Sequence, residues 1–264
     1  MPTIVRDGTT LAYEEHGTGD PALVFVHGWT CDRSFFAPQA QHFARRHRVV
    51  SVDLRGHGES DKPEGRYSIA TFADDIAYLM ERVGLGRAVA VGHSMGGITV
   101  LQLAAAHPER VAAIVMVDPA PFSIPPEVRS DVEALAAAIE AGDEEARLGL
   151  IVDQFFLPDS DPALVERVVG VMMAAPPHVA AAALRAAVEF DAPAAAARCR
   201  VPALHIAAPP PLNELHDMSR WLPGIVNRLT VGVGHFNQLE APEQVNSMIE
   251  RFVRQHAAGL HPHS

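Results

Sequence analysis

Gly92-His93-Ser94-Met95-Gly96-Gly97 is the segment in which residue type and spacing most plainly serve chemistry. A β-branched run precedes it and a helical pattern comes after. G-x-S-x-G therefore falls where a tight strand-to-helix turn pushes a serine hydroxyl into the open. Small neighbours are needed because the adjacent backbone leaves no room for a Cβ. A serine hydroxyl is a weak nucleophile until a base takes its proton. Of the 14 histidines, His235 is the expected base: it stands in Gly232-Val233-Gly234-His235-Phe236, a glycine-rich loop after the last expected strand, and follows the serine in chain order. His27, His57 and His93 read as residues that order loops, His205 as a satisfied buried histidine within a strand, and His256, His261 and His263 as members of a solvated tail.

These residues need elements to hold them, and the chain alternates strand and helix patterns. Thr3–Arg6 and Thr9–Glu15 flank Asp7-Gly8, a dipeptide favoured in tight hairpins. Ala22–Val26, Val49–Asp53, Arg87–Gly92 and Val111–Val117 are short apolar runs of the kind found in buried parallel strands. Phe72, Ile76, Leu79, Met80 and Val83 repeat at helical spacing before Gly84, and Met95–Ala106 is a second helix. From Pro119 to about Arg200 the text is alanine-rich and helical, punctuated by prolines, with no strand-like run. Strands then resume at Ala203–Ala207 and near Val226–Val231, and a helix from Pro242 to about Gln255 presents Val245, Ile249 and Phe252. The expectation is an α/β protein: a doubly wound, mostly parallel sheet with a helical insertion.

Composition narrows the function. The 264 residues carry 21 Lys+Arg against 32 Asp+Glu, a formal net charge of −11, which argues against nucleic-acid binding because that needs a basic stripe. No apolar run reaches the ~18 residues that would suit a bilayer; Val111–Val117 is bounded by Arg110 and Asp118. Charges stand where a signal peptide would have its apolar stretch. Cys31 and Cys199 form neither a disulfide framework nor a zinc-ligand spacing. The expectation is a cytoplasmic protein with no metal, acting on a small molecule without nucleic-acid or membrane partners.

Four blocks in order, His27-Gly28-Trp29, Asp53-Leu54-Arg55-Gly56-His57-Gly58-Glu59-Ser60, the turn at Ser94 and Gly234-His235-Phe236, make the sequence resemble the α/β-hydrolase family over essentially its whole length. The resemblance implies a core of residues 1–118 and 201–264, a helical cap of residues 119–200 over the active site, and chemistry without a cofactor. It also implies an oxyanion hole made by the backbone N–H groups of Trp29 and Met95, which cannot swing away as charge builds on a tetrahedral intermediate. The Trp29 ring is either a pocket wall or a core tryptophan, and Cys31 borders the same loop.

The departure from the family pattern concerns the acid that orients the histidine. Most relatives carry it after the seventh strand, but here that text reads Ile206-Ala207-Ala208-Pro209-Pro210-Pro211-Leu212-Asn213-Glu214. Asp118, at the end of an inner strand on the same sheet edge as the serine, is the favoured replacement. A branch of the family that includes some lactonases and amide hydrolases places its acid there. Glu214 and Asp217 are the alternatives, while Asp32 and Asp53 read as loop-ordering residues. Phe122, Phe155 and Met172 are the expected substrate contacts within the cap, with Phe156 and Met173 nearby. The expected activity is hydrolysis of a small carboxylic ester or lactone through an acyl-enzyme on Ser94. The same triad acting on an amide or C–C bond or as a perhydrolase, and a non-catalytic ligand receptor on this fold, remain the other readings.

Overall fold

The protein is described by a computed structural model covering residues 1–65 and 67–256. His261 and His263 lie outside the described residues. The hairpin is formed by β1 (Thr3–Arg6) and β2 (Thr9–His16). Asp7 and Gly8 have φ of 50° and 76°, the double positive φ that matches a tight turn to strand twist. β3 (Leu23–Val26), β4 (Val49–Val52), β5 (Ala88–His93), β6 (Val111–Val117), β7 (Ala203–Ala207) and β8 (Val226–Leu229) run parallel. The eight-stranded order is β1-β2-β4-β3-β5-β6-β7-β8, with β2 antiparallel to β4.

Inner strands are apolar on both sides because helices cover both faces. On one face Val24, Val26, Ala90 and Met116 pack with α2 (Ile69–Arg82) and α3 (Met95–Ala106). On the other, Leu23, Phe25, Val91 and Val115 pack with α1 (Ala37–Phe43) and α11 (Pro242–His256), where Val245, Ile249 and Phe252 are buried as expected. Ser68 caps α2 by accepting from the Thr71 N–H at 3.0 Å, and Gly84 at φ 65° stands just past its end.

The insertion between β6 and β7 is helical: α4 (Pro126–Glu140), α5 (Glu144–Phe155), α6 (Pro162–Ala174), α7 (Pro177–Glu189) and α8 (Ala192–Ala196). Its prolines start helices more than they interrupt them. Pro126, Pro162 and Pro177 each occupy a first helical position, where the missing N–H is no loss. The side chains of Asp143, Asp161 and Asp191 cap α5, α6 and α8. α9 (Leu215–Trp221) and α10 (Asn237–Glu240) are short helices that periodicity in the sequence does not mark. No single described helix is long and apolar enough to cross a membrane.

Candidate active site

Ser94 joins β5 to α3 at φ 53°, ψ −118°, a conformation that costs a non-glycine residue roughly 1–3 kcal/mol. Close packing enforces it. A Cβ on Gly92 would lie 2.1 Å from the Gly96 carbonyl oxygen, one on Gly96 2.2 Å from that of Val26, and one on Gly97 2.7 Å from Pro119. The glycines expected around the serine are therefore required by backbone contact. The Ser94 N–H donates to the Val117 carbonyl (3.1 Å), and its own carbonyl accepts from Ala120 (3.0 Å). The turn is thus fastened to the end of β6.

One step beyond β6 stands Asp118. Its N–H donates to the Ile206 carbonyl at 2.7 Å, and it too has a positive φ, 39°, a region that aspartate and asparagine enter more readily than most residues. The side chain is buried. Oδ1 accepts from the Ala208 N–H at 3.1 Å, and Oδ2 faces His235 Nδ1 at 2.6 Å. The loop after β7, which lacks an acidic residue at the family's usual place, instead donates a backbone hydrogen bond to the acid after β6. Glu214 is exposed at the start of α9, and Asp217 pairs with Arg220 at 3.3 Å. Neither contacts His235.

His235 is held on several sides. Its N–H donates to the Phe155 carbonyl (3.3 Å), and its carbonyl accepts from His93 Nε2 (2.9 Å). Its ring lies 4.6 Å from that of His93 and 4.8 Å from that of Phe155. Because Asp118 takes Nδ1–H, Nε2 is left with the free lone pair. His93 is the residue before Ser94, so its bond to His235 brings the histidine loop to the serine turn. Burial, and secondarily the neighbouring His235, pushes the His93 pKa well below the ordinary value. That shift favours the neutral form of His93.

The loop after β3 closes another side. A Cβ on Gly28 would lie 3.2 Å from Ser94 Cβ, so the Gly28-Trp29 backbone runs against the serine. His27 orders this loop: Nδ1–H donates to the Gly28 carbonyl (2.8 Å) and Nε2 accepts from the Leu54 N–H (3.0 Å). Met95 opens α3, where amides have no intrahelical acceptor. The Trp29 ring belongs to the core, with Nε1–H donating to the Ala180 carbonyl of α7 at 2.7 Å. Asp32 caps the turn at Arg33–Phe36 and Asp53 accepts from the N–H groups of Arg33 and Glu59; both order loops, as expected. Cys31 is buried, and burial raises its thiol pKa well above normal. Cys31 and Cys199 are both free thiols.

Two histidine readings divide. His57 orders its loop by donating from Nδ1 to the Arg55 carbonyl (2.9 Å), and burial, reinforced by His27, lowers its pKa to about 3. His205 is only half satisfied: Nδ1 meets Asn227 at 3.0 Å while Nε2 is buried without a partner among the described residues. Of the expected substrate contacts, Phe155 lies on His235. Phe122 is buried with its ring stacked on Trp221 at 5.5 Å, and Met172 is a core side chain whose carbonyl accepts from Arg147. Phe122 and Met172 thus face packing partners, because the chain turns those positions inward.

Two supports carry no signal in the sequence. Asn213 accepts from the Phe122 N–H (2.8 Å) and donates to the Pro119 carbonyl (2.8 Å), bracing the chain just after Asp118. Glu240 accepts from the Gly234 N–H (3.0 Å) and from Ser160 of the helical insertion (3.2 Å), tying the histidine loop to it. Loop residues without periodicity give no local sign of such long-range bonds. Among the described residues no cluster of histidine, cysteine and carboxylate side chains suits a metal ion.

The profile of the alpha/beta hydrolase fold family matches residues 21–149. A 2-(acetamidomethylene)succinate hydrolase from Mesorhizobium japonicum is 38% identical over 135 residues, 51% of this chain and 47% of that protein. The chain spans about half the length of the curated relatives it matches. Among solved structures, a malate-bound thermophilic esterase from Thermogutta terrifontis superposes with a TM-score of 0.86 at 26% identity, over 96% of this chain and 97% of that one. Est816, an N-acyl homoserine lactone degrading enzyme, gives 0.82 at 27% identity, over 96% and 100%.

Proposed function

The chain belongs to the α/β-hydrolase fold family, and from that premise we propose that it is a serine hydrolase cleaving a small carboxylic ester or lactone. The observation that carries this reading is the 2.6 Å contact between buried Asp118 and His235, made beside a serine held at φ 53°. His235 Nε2 removes the Ser94 proton as Oγ adds to the carbonyl carbon. The resulting oxyanion is held by the Trp29 and Met95 amides, each such donor contributing about 2.7–4 kcal/mol to the transition state. The imidazolium then returns its proton to the leaving oxygen, and the C–O bond breaks to give an acyl-enzyme. Water, deprotonated by His235, adds to the acyl carbon and regenerates Ser94 with release of the acid. Asp118 holds the Nδ1–H tautomer and offsets the imidazolium charge at each stage. Helices α4–α8 act as the cap, with Phe155 roofing the histidine.

The same triad supports amide cleavage as a second reading. It is favoured by the Mesorhizobium relative, which is named for a substrate bearing an acetamido group. The test is turnover of short-chain nitrophenyl esters, simple lactones and an N-acyl enamine, with Ser94→Ala in parallel. Wild-type turnover abolished in Ser94→Ala is the expected result, and ester preference over amide separates the two readings. Activity surviving in Ser94→Ala would remove the serine mechanism.

A further inference from the structure

Most of the partly buried arginines in this protein meet a carboxylate. Arg33 reaches Asp53 and Glu14, while Arg55 and Arg6 converge on Asp75. Arg147, on α5, is more deeply buried than any of these, at 3% exposure. Yet among the described residues no carboxylate lies within ion-pair distance of it. Its terminal nitrogens donate to the Ala175 carbonyl (2.8 Å) and the Met172 carbonyl at the end of α6, and among the described residues Nε is buried with no acceptor. A guanidinium withdrawn from water without a counter-ion is costly. Carbonyls at a helix C-terminus offset only part of that cost.

Its position relates it to the site. Arg147, Ile151 and Phe155 recur every four residues and so share one face of α5. Phe155 lays its ring on His235. Eight residues of helix rise about 12 Å, which carries the same inward face from the histidine to the indole of Trp29, over which Arg147 stands at 5.9 Å. Arg147 also contributes to the field on His57, whose Nε2 is likewise buried without a partner among the described residues.

We propose that Arg147 is the binding site for a carboxylate carried by the substrate, so that the preferred acyl group is a short dicarboxylate with one end esterified. The missing counter-ion of the buried guanidinium is then the ligand itself. This rests on the serine-hydrolase reading above and names its substrate class.

The test compares hydrolysis of mono-ethyl glutarate with that of ethyl butyrate, monitored by acid release, in wild type, Arg147→Gln and Arg147→Lys. A charge-assisted hydrogen bond in a buried site corresponds to about a ten- to hundredfold preference. Wild type is expected to favour the anionic ester by that factor in kcat/KM. Arg147→Gln should remove the preference mainly through KM, and Arg147→Lys should restore part of it. An unchanged ratio in a folded Arg147→Gln would overturn the proposal and leave Arg147 as a cap for the end of α6. If that variant does not fold, wild type decides, because glutarate should slow fluorophosphonate labelling of Ser94 whereas glutaramide should not. Equal behaviour of the two would also overturn it. Labelling without turnover of any ester is the distinct failure of the ester reading, and glutarate protection still tests Arg147 in that case.

Discussion

Replacing Asp118 with asparagine changes one atom at its buried contact with His235, and the neighbouring bonds set the consequence. Oδ1 of Asp118 accepts from the Ala208 N–H at 3.1 Å, so the asparagine carbonyl oxygen keeps that place. The amide NH2 then occupies the position of Oδ2, 2.6 Å from His235 Nδ1. Two N–H groups cannot face one another there, so Nδ1 must give up its proton and Nε2 must hold it. The nitrogen that should accept from Ser94 becomes a donor. Tautomer inversion of this kind in a serine triad lowers kcat about 10⁴-fold, or about 5.4 kcal/mol at 1.36 kcal/mol per decade. Asparagine also tolerates the φ of 39° at this position, so the fold should survive where an alanine would be strained. The assay is steady-state turnover of a short-chain nitrophenyl ester, with a thermal melt to certify folding and Glu214→Gln as the companion. Asp118→Asn should fall by three to four decades with a nearly unchanged melt, while exposed Glu214→Gln stays at the wild-type rate. A folded Asp118→Asn within tenfold of wild type would refute the assignment of the acid.

Other predictions concern the scaffold. Gly96→Ala drives a Cβ to 2.2 Å from the Val26 carbonyl and 2.5 Å from that of His27; overpacking costs about 1–3 kcal/mol or more, so the melting temperature should drop by roughly 2–12 °C, and an unchanged melt would contradict the packing described. Asp75, on α2, holds Arg55 and Arg6 at 2.5 and 2.7 Å while almost fully buried; Asp75→Ala leaves Arg55 without its carboxylate and Arg6 with only the longer contacts to Asp7 (3.6 Å) and Asp74 (3.8 Å), and should lose about 3–5 kcal/mol in urea titrations. Stability should also fall in acid through the buried histidines. His57 has a folded pKa of about 3 against an ordinary value of 6.5, so the unfolded chain takes up this proton first. The contribution is fully present above about pH 6.5 and declines by about 1.4 kcal/mol per pH unit below it until the folded pKa is reached. Denaturant midpoints at pH 7.5 and 5 measure it, and a His57→Gln chain that keeps the full wild-type slope would count against the assignment.

Much of the architecture was legible because its signals are local. Val111–Val117 and Met95–Ala106 begin and end where periodicity, Asp118 and His107-Pro108 place them. Gly92, Gly96 and Gly97 mark the serine turn because no other residue fits against the opposing carbonyls and Pro119. The same locality hid the short helices α1 and α9, which lack a repeating face.

By itself the sequence determined which residues have the chemical capacity to react, and that Ser94 and His235 stand in turns. Capacity is a property of side-chain type and of the backbone a few residues either side. The meeting of His235 with Asp118 rather than Glu214, the single side-chain contact of His205 and the placement of Arg147 over Trp29 were decided only in three dimensions. Asp118 and His235 are 117 positions apart, and parallel strand ends bring them to one sheet edge. On α5 an arginine looks like any surface residue until the fold buries it, and its burial without a carboxylate in ion-pair range among the described residues exists only once α6 and the β3 loop close around it.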